Sequence, residues 1–449
     1  DMLARYPGLE AIGVAGDSRG MSGAEMEATM PSVLAALKAT GAPIVHYKVC
    51  STFDSSPETG SIGRILALAK GVFGNPWIPI VGGTPALARY CLFGNLFARS
   101  ATDGRVHRID RHPVMSVHPV TPMKEGDLAR HIEAQAPEGT MLKIASLGYP
   151  VLEAGPNAAR AALEVITADM PDAVLFDGGS AAHQAVVGAV LEDLASYRPR
   201  HPEESAQRSS RRTQNAGACF ETQPSAAPQH DEVEETAPLF VVGGSGVEYA
   251  LMQHWGLNGA PAAFERFPAV DRLLAISGSA SKVSAAQIDV AVAAGFAEIA
   301  VDPVSLLAES SFAETLVTDA TAALSEGRSV LLHTVRGPDD PRIAALRAAH
   351  GGAYGEAGRR LGEAMGRILG AVQSRTGLKR LAVAGGDTSS QAVQVLGIDA
   401  LEVAARLTPG VPLCRILASG RPLDGVEIAL KGGQMGGEDF FEAVRRGRA

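Results

Sequence analysis

Short apolar runs of four to six residues recur along the chain, each followed by a turn of Gly, Ser, Thr or Asp and then an alanine-rich stretch with helical spacing. Runs this short and this apolar read as strands buried on both faces, and the stretches after them as helices. The alternation predicts α/β domains built as three-layer αβα stacks on mainly parallel sheets. The runs of the first half lie at 10–15 before Gly16-Asp-Ser-Arg19, with a helix over 23–39, at 78–81 before Gly-Gly-Thr-Pro, at 173–176 before Asp-Gly-Gly-Ser, and at 239–242 before Gly-Gly-Ser-Gly. Those of the second half lie at 273–276 before Ser-Gly-Ser-Ala-Ser, at 381–384 before Gly-Gly-Asp-Thr-Ser, and at 426–430 before Lys431-Gly-Gly-Gln-Met-Gly-Gly437. Ligands of open parallel sheets bind outside the carboxyl ends of the strands, so the functional residues are expected in these turns.

One stretch breaks the pattern. Residues 198–237 carry Pro, Ser, Gln and charges with almost no apolar periodicity, the composition of a disordered surface insert. A boundary is expected where Phe267-Pro-Ala-Val-Asp271 precedes the next strand, giving domains of 1–268 and 269–449.

Composition narrows the function classes. The 449 residues are 46% hydrophobic and 20% charged, long enough for two or three cores. Forty Lys and Arg against 49 Asp and Glu leave a net charge of −9 and no basic stripe, which argues against a nucleic-acid partner. Cys50, Cys91, Cys219 and Cys414 are too scattered for a zinc site or a disulfide framework, pointing to a reducing, cytoplasmic home. No apolar run approaches a membrane span, and the first residues carry no signal-peptide pattern. Abundant small residues on the helices permit tight packing of a homodimer.

Several turns of the second half suit an anion. Ser277-Gly-Ser-Ala-Ser281 ends a strand, and a helix is expected after Ser284, with Ser284 and Gln287 forming a capping box. Small residues there let backbone N–H groups approach a phosphate at a helix N-terminus. Gly385, Gly386, Asp387, Thr388 and Ser389 repeat the arrangement, with Asp387 either capping the helix or holding Mg²⁺ through water. The turn from Thr408 through Gly410 to Pro412 suits packing beside a flat purine or stiffening a connection, and Lys431 sets an ammonium beside flexible glycines. Neither a Walker A loop nor a complete G-x-G-x-x-G after a strand occurs, so it is the number of such loops that points to a nucleotide.

The turns of the first half are charged. Asp17 and Arg19 follow one run, while Lys48 and Ser51 end another and lead to Asp54. An Arg and a Lys at one sheet edge can clamp a carboxylate while Asp and Ser bind hydroxyls, which suits a small polyhydroxy acid. His112 and His118 are six apart without an evident third ligand, so the metal ligands stay unassigned.

Together these motifs resemble the four-carbon acid sugar kinases. The resemblance rests on Gly16-Asp-Ser-Arg19, His46-Tyr-Lys-Val-Cys-Ser-Thr52, His118-Pro-Val-Thr-Pro-Met123, Val242-Gly-Gly-Ser-Gly-Val-Glu-Tyr-Ala250, Ser277-Gly-Ser-Ala-Ser281, Gly385-Gly-Asp-Thr-Ser389, Pro409-Gly-Val-Pro412 and the Lys431 glycine loop with Asp439-Phe-Phe. It implies two α/β domains facing a central cleft, the first binding an acid sugar through Asp17, Arg19, Lys48 and Ser51. The second would bind ATP through Ser279, Ser281, Gly385, Gly386, Asp387, Thr388, Ser389, Gly410 and Lys431. The implied reaction is in-line transfer of the ATP γ-phosphoryl group to a terminal hydroxyl, with Mg²⁺ bridging phosphates and Asp17 or Asp54 as base.

Two departures stand out. Members of the family open with a strand and an Asp-Asp-x-Thr-Gly loop, and this chain is expected to begin after them. Relatives carry an Arg-bearing lysine motif where Lys48-Val-Cys-Ser-Thr-Phe-Asp54 stands here, which resembles the branch acting on 3-oxo acids such as 3-oxo-tetronate and 3-oxo-isoapionate. Two rival readings remain: a non-catalytic nucleotide or sugar-acid binding module, and an α/β-hydrolase using Ser245, whose turn lacks the second elbow glycine because Val247 occupies it.

Overall fold

The computed structural model describes residues 11–100, 103–118, 120–196, 237–257, 267–408 and 410–447. The expected insert at 198–237 falls almost wholly outside them, as does Pro409. The chain divides into two units, 1–259 and 260–449, nine residues before the boundary expected from the sequence.

The N-terminal unit carries strands β1 (Ile44–Lys48), β2 (Ile78–Val81), β3 (Arg89–Leu92), β4 (Asn95–Arg99), β5 (Val106–Arg108), β6 (Ile144–Leu147), β7 (Ala173–Phe176) and β8 (Leu239–Gly243). Five of them form a parallel sheet in the order β1-β8-β2-β7-β6. Both faces are buried, and alternation along each strand sorts the side chains into two cores. Ile78, Ile80, Leu175 and Val242 join one with helices Gly23–Lys38 and Ile62–Phe73, while Val81, Val174, Phe176 and Val241 join the other with helices Pro156–Thr167, Ala181–Ser196 and Gly246–His254. Strands β3, β4 and β5 form a separate antiparallel sheet.

The expected strand at 10–15 is a correction. Residues 11–17 have no regular structure, and Ile12 and Val14 are 43% and 63% exposed. Their apolar alternation gains nothing because no sheet neighbour covers either face.

The C-terminal unit carries β9 (Leu274–Ser277), β10 (Ala297–Ala300), β11 (Val330–His333), β12 (Arg380–Ala384), β13 (Ala400–Thr408), β14 (Val411–Leu417) and β15 (Glu427–Lys431) in the order β10-β11-β9-β12-β15-β14-β13. β9 to β12 and β15 run parallel, while β14 and β13 are antiparallel additions. Leu274, Ile276, Leu381 and Val383 face a core shared with helices Ser310–Ser325 and Tyr354–Thr376, and Ala275, Ala382 and Ala384 face helices Lys282–Ala293 and Phe440–Arg446. The small residues on that second face let its two helices sit close to the sheet. At the free edge, β13 pairs with β14 through two register shifts, at Val403/Ala405 and Arg406/Thr408. Among the described residues no helix is long and apolar enough to cross a membrane.

Candidate active site

All five parallel strands of the N-terminal unit deliver their carboxyl ends to one edge, where glycines let the turns interlock. A Cβ on Gly83, after β2, would stand 2.0 Å from the Gly178 carbonyl after β7, and one on Gly246, after β8, would stand 2.0 Å from the Gly83 carbonyl. Gly244 likewise meets Ser51 Cα at 3.0 Å. The paired glycines of these turns were visible in the sequence, but not their mutual fit.

Beside this nest sits a buried carboxylate. Asp54 is 4% exposed, and its Oδ2 accepts from Arg19 Nη2 at 2.6 Å and Thr121 Oγ1 at 3.0 Å, while its Oδ1 accepts from Thr52 Oγ1 at 2.5 Å. Burial would raise this carboxyl, but the Thr52 hydrogen bond, the charge and hydrogen bond of Arg19, and the Thr121 hydroxyl together hold it below its ordinary value. Arg19 is brought there by two ties: Tyr47 donates to Ser18 Oγ at 2.8 Å, and Gly60, at φ +63°, lies under the Arg19 carbonyl. Any Cβ at Gly60 would meet that carbonyl oxygen at 2.5 Å, which explains the glycine.

Asp17 is exposed, three residues from the other end of this turn. Lys48 ends β1, also exposed. Its register partner is Gly243, whose carbonyl lies 3.0 Å from His46 Nε2, and His46 Nδ1 lies 2.9 Å from Glu248 Oε1. Burial would raise Glu248, but the His46 hydrogen bond and charge, with a smaller contribution from Lys48, hold it below the usual carboxylate value. Sequence reasoning gave no role to His46, Glu248, Thr52 or Thr121. The signal for Thr121 was present, since it lies within the His118-Pro-Val-Thr-Pro-Met motif, but nothing local in the sequence links it to Asp54, 67 positions away.

Ser245 has the ordinary right-handed backbone of a helix start, φ −60° and ψ −1°, without the strain of a nucleophile elbow. The His46 nitrogens go to Glu248 and Gly243, not to it. His112 and His118 turn Nδ1 to backbone N–H groups, and among the described residues no cluster of three or more metal-ligating side chains occurs.

In the C-terminal unit the sheet brings together the carboxyl ends of β9, β12 and β15, which are neighbours, and with them most of the expected nucleotide residues. The helix after β9 starts at Lys282, not after Ser284: Ser281 is its cap, accepting from the Ser284 N–H. Ser284 is therefore inside the first turn. It and Gln287 make no capping box, because both reach across to the β15 loop. Ser281 Oγ and Ser284 Oγ donate to the Gly433 carbonyl at 2.5 and 3.0 Å, and Gln287 Nε2 donates to the carbonyls of Met435, Gly436 and Gly437. Ser279 Oγ would lie 2.4 Å from a Cβ on Gly433, and Thr388 Oγ1 2.2 Å from a Cβ on Gly278. The glycines are thus fitted to the hydroxyls of the adjoining turn.

Helix Gly386–Val395 begins behind Gly385, which sits at φ +117° and supplies no side-chain cap. Asp387 does not cap it; the carboxylate is one residue inside the helix and exposed. Thr388 and Ser389 are buried in the first turn, and Ser389 Oγ and Ser277 Oγ have no hydrogen-bond partner. Lys431 is 1% exposed, donates to Ser284 Oγ and the Gly432 carbonyl, each at 3.2 Å, and is pushed down by burial to about 8. Gly410, at φ +75°, forms the tight turn between β13 and β14, and the space a Cβ would take is filled by Met435 Cε at 2.4 Å. A cavity of about 460 Å³ opens beside Gly278, Asp387 and Thr388.

One αβα unit thus presents a charged strand edge, and the other three interlocked small-residue turns. Residues 2–200 match the family model of a sugar-binding N-terminal domain, and residues 274–441 that of a nucleotide-binding C-terminal domain. Over its whole length the chain is 40% identical to the 3-oxo-isoapionate kinase of Paraburkholderia graminis, covering 87% of that protein. It is 25% identical to the 3-oxo-tetronate kinase of Cupriavidus necator, over 97% of this chain and 86% of that one. The fold is shared with a crystal structure from Salmonella typhimurium LT2, at TM-score 0.70 and 23% identity over 96% of this chain and 88% of that one. A Haemophilus influenzae protein matches at TM-score 0.66 and 21% identity, over 95% and 87%. The chain belongs to the four-carbon acid sugar kinase family.

Proposed function

We propose that this protein is an ATP-dependent kinase that phosphorylates a terminal hydroxyl of a small sugar acid, with a 3-oxo acid of the 3-oxo-isoapionate kind as the first candidate. The observation that carries the reading is the full-length 40% identity to a 3-oxo-isoapionate kinase. The two strand edges fit it chemically.

A polyphosphate suits the C-terminal unit. Its glycine turns are bare of Cβ atoms, helix Gly386–Val395 starts without a side-chain acceptor for its first N–H groups, and Ser277 and Ser389 hold unpartnered buried hydroxyls. Lys431 supplies the cation below them; a phosphate nearby would favour its charged form. Mg²⁺ would neutralise phosphate charge and, held mainly by phosphate oxygens, needs no protein cage beyond a single carboxylate such as Asp387. Asp387 lines the cavity mouth, exposed in the first helical turn.

In the N-terminal unit Arg19 and Lys48 anchor the substrate carboxylate or keto oxygen, and Ser51 a hydroxyl. Asp54 already accepts three hydrogen bonds, so its work is to aim Arg19 rather than to take a proton. Asp17, exposed on the same turn, is the better-placed base. The protein is expected in the cytoplasm, where ATP is available.

The test is ADP release from MgATP across four- and five-carbon sugar acids and their 3-oxo forms. Substrate-dependent ADP, largest with a 3-oxo acid, is the expected result. A folded protein that binds nucleotide yet turns over none of the panel would instead be a binding module.

A further inference from the structure

The three-stranded antiparallel sheet of the N-terminal unit has one face buried and one face open. Cys91, Leu96 and Ala98 are fully buried on the first. Leu92, Asn95 and Phe97 alternate onto the other, with Arg108 as the register partner of Phe97, and there they form one wall of a cavity of about 760 Å³. The opposite wall comes from the segments that follow β6 and β7, through Tyr149, Ser180 and His183. The order β1-β8-β2-β7-β6 puts two strands between β7 and the end of β1 that carries Lys48, and none of the residues assigned to the sugar acid lines this cavity.

Its aromatic rings are held in fixed places. Phe93 stands at the tip of the β3–β4 hairpin, 65% exposed and at φ +51°, a left-handed backbone that glycine or asparagine adopts far more readily. Asp177, a buried carboxylate just after β7, holds it there by accepting the N–H groups of Phe93 at 2.6 Å, Gly94 at 2.9 Å and Tyr149 at 2.9 Å. One side chain thus fixes both aromatic segments, and the Phe93 and Tyr149 rings meet edge to face with centroids 4.9 Å apart. His183 continues the wall, its ring 6.0 Å from that of Tyr149. A phenylalanine so exposed gains little from burial in return for its disfavoured backbone, as expected of a binding face set in advance.

The unpaired charge at this cavity is negative. Arg108 is closed into a two-pronged pair with Asp110, at 2.7 and 2.6 Å, and adds no net charge. His183 accepts the Gly179 N–H on Nδ1 at 3.2 Å, which leaves its proton on Nε2, 3.7 Å from Glu153 Oε1. The Glu153 carboxylate lines the cavity with its side chain 63% exposed. Aromatic walls with a carboxylate at the rim match an organic cation, whose charge the ring faces attract. Its weak hydration lowers the cost of leaving water.

We propose that the cavity between the β3–β5 sheet and the segments after β6 and β7 is a second ligand site, which takes a small organic cation of the quaternary ammonium class against Phe93, Phe97 and Tyr149, with Glu153 as counter-charge. The site is independent of the kinase reading.

Choline is the probe, and its control is dimethylbutanol, the same shape with carbon in place of the charged nitrogen. Binding to the full chain is followed by ligand-observed NMR titration. Choline should bind at least about tenfold tighter than the alcohol. Phe93→Gly removes the ring and suits the turn, so this variant is expected to melt no lower than the parent protein while its choline affinity falls at least about fivefold. Glu153→Gln, at an exposed position, should weaken choline about threefold and leave the alcohol unchanged. Equal affinity for choline and the alcohol would overturn the proposal by making the cavity merely apolar, and so would unchanged choline binding in Phe93→Gly. A folded parent protein that binds no choline would overturn it as well. Displacement of choline by the sugar acids of the kinase panel would overturn it by reassigning the cavity to the sugar site.

Discussion

The two strand edges are written in the same sequence grammar and do opposite things with their glycines. In the N-terminal unit Gly83 and Gly246 bring backbone against backbone, closing the turns on one another, and charge is placed beside the closed nest by Arg19, Asp54 and Lys48. In the C-terminal unit Gly278 and Gly433 face the hydroxyls of Thr388 and Ser279, so the turns carry donors and a cavity stays open next to them. Glycine-rich turns after buried strands therefore do not by themselves mean phosphate. What separates the two pairs is that Gly83 and Gly246 face carbonyls while Gly278 and Gly433 face hydroxyls.

The sharpest way to break the comparison is Lys48→Ala. Removing the clamp should lower kcat/KM for the sugar acid about 1,000-fold, roughly 4 kcal/mol, with ADP affinity unchanged by calorimetry. Loss of ADP affinity instead would move Lys48 to the nucleotide. Next is Gly83→Ala, which forces a Cβ against the Gly178 carbonyl and should destabilise the N-terminal unit by about 3 kcal/mol in urea. Tripolyphosphate binding at 25 °C should survive it.

Lys431→Met separates stability from binding. Replacing a buried ammonium by an apolar chain should stabilise the ligand-free protein by about 1–2 kcal/mol while weakening ADP about tenfold. The pH dependence follows the same residue. The folded lysine titrates near 8 and the unfolded one near its ordinary 10.5, so the unfolded state binds more protons between them and stability rises with pH across that window. ADP affinity should fall over the same range, with proton uptake on binding seen as a buffer-dependent calorimetric heat. The smallest effect expected is at Asp54, whose lowered carboxyl stabilises the fold above its ordinary 3.8, a contribution lost as pH drops below that value. Asp54→Asn should flatten this acid limb and cost about 1 kcal/mol at neutral pH.

Six strands of the two parallel sheets, β2, β7, β8, β9, β12 and β15, were legible because burial leaves a short run of apolar residues. The run at 10–15 misled for the same reason: Ile12 and Val14 have strand chemistry, but pairing is a property of the neighbour, which a local reading does not contain. The capping box at Ser284 misled differently. Ser281 and Ser284 are both competent caps, but the helix begins one turn earlier than expected, at Lys282 with Ser281 as its cap, so that Ser284 and Gln287 lie inside it and reach the β15 loop, about 150 positions further on. The glycines after Lys431 suggest an open surrounding, yet it is among the most buried polar groups of its unit, since it ends a central strand. The Asp54–Thr121 and His46–Glu248 pairs were out of reach, being contacts between residues 67 and 202 apart.

The two register shifts along β13 bear on a different risk. A nine-residue strand at the rim of a sheet presents a row of unused amide and carbonyl groups that another chain could copy. Each shift adds twist and breaks the regular spacing that such templating requires, so the rim is a poor seed for fibre growth. Straightening the strand by deleting Ala404, the residue skipped between Val403 and Ala405, would be expected to raise its aggregation rate before it altered any binding property.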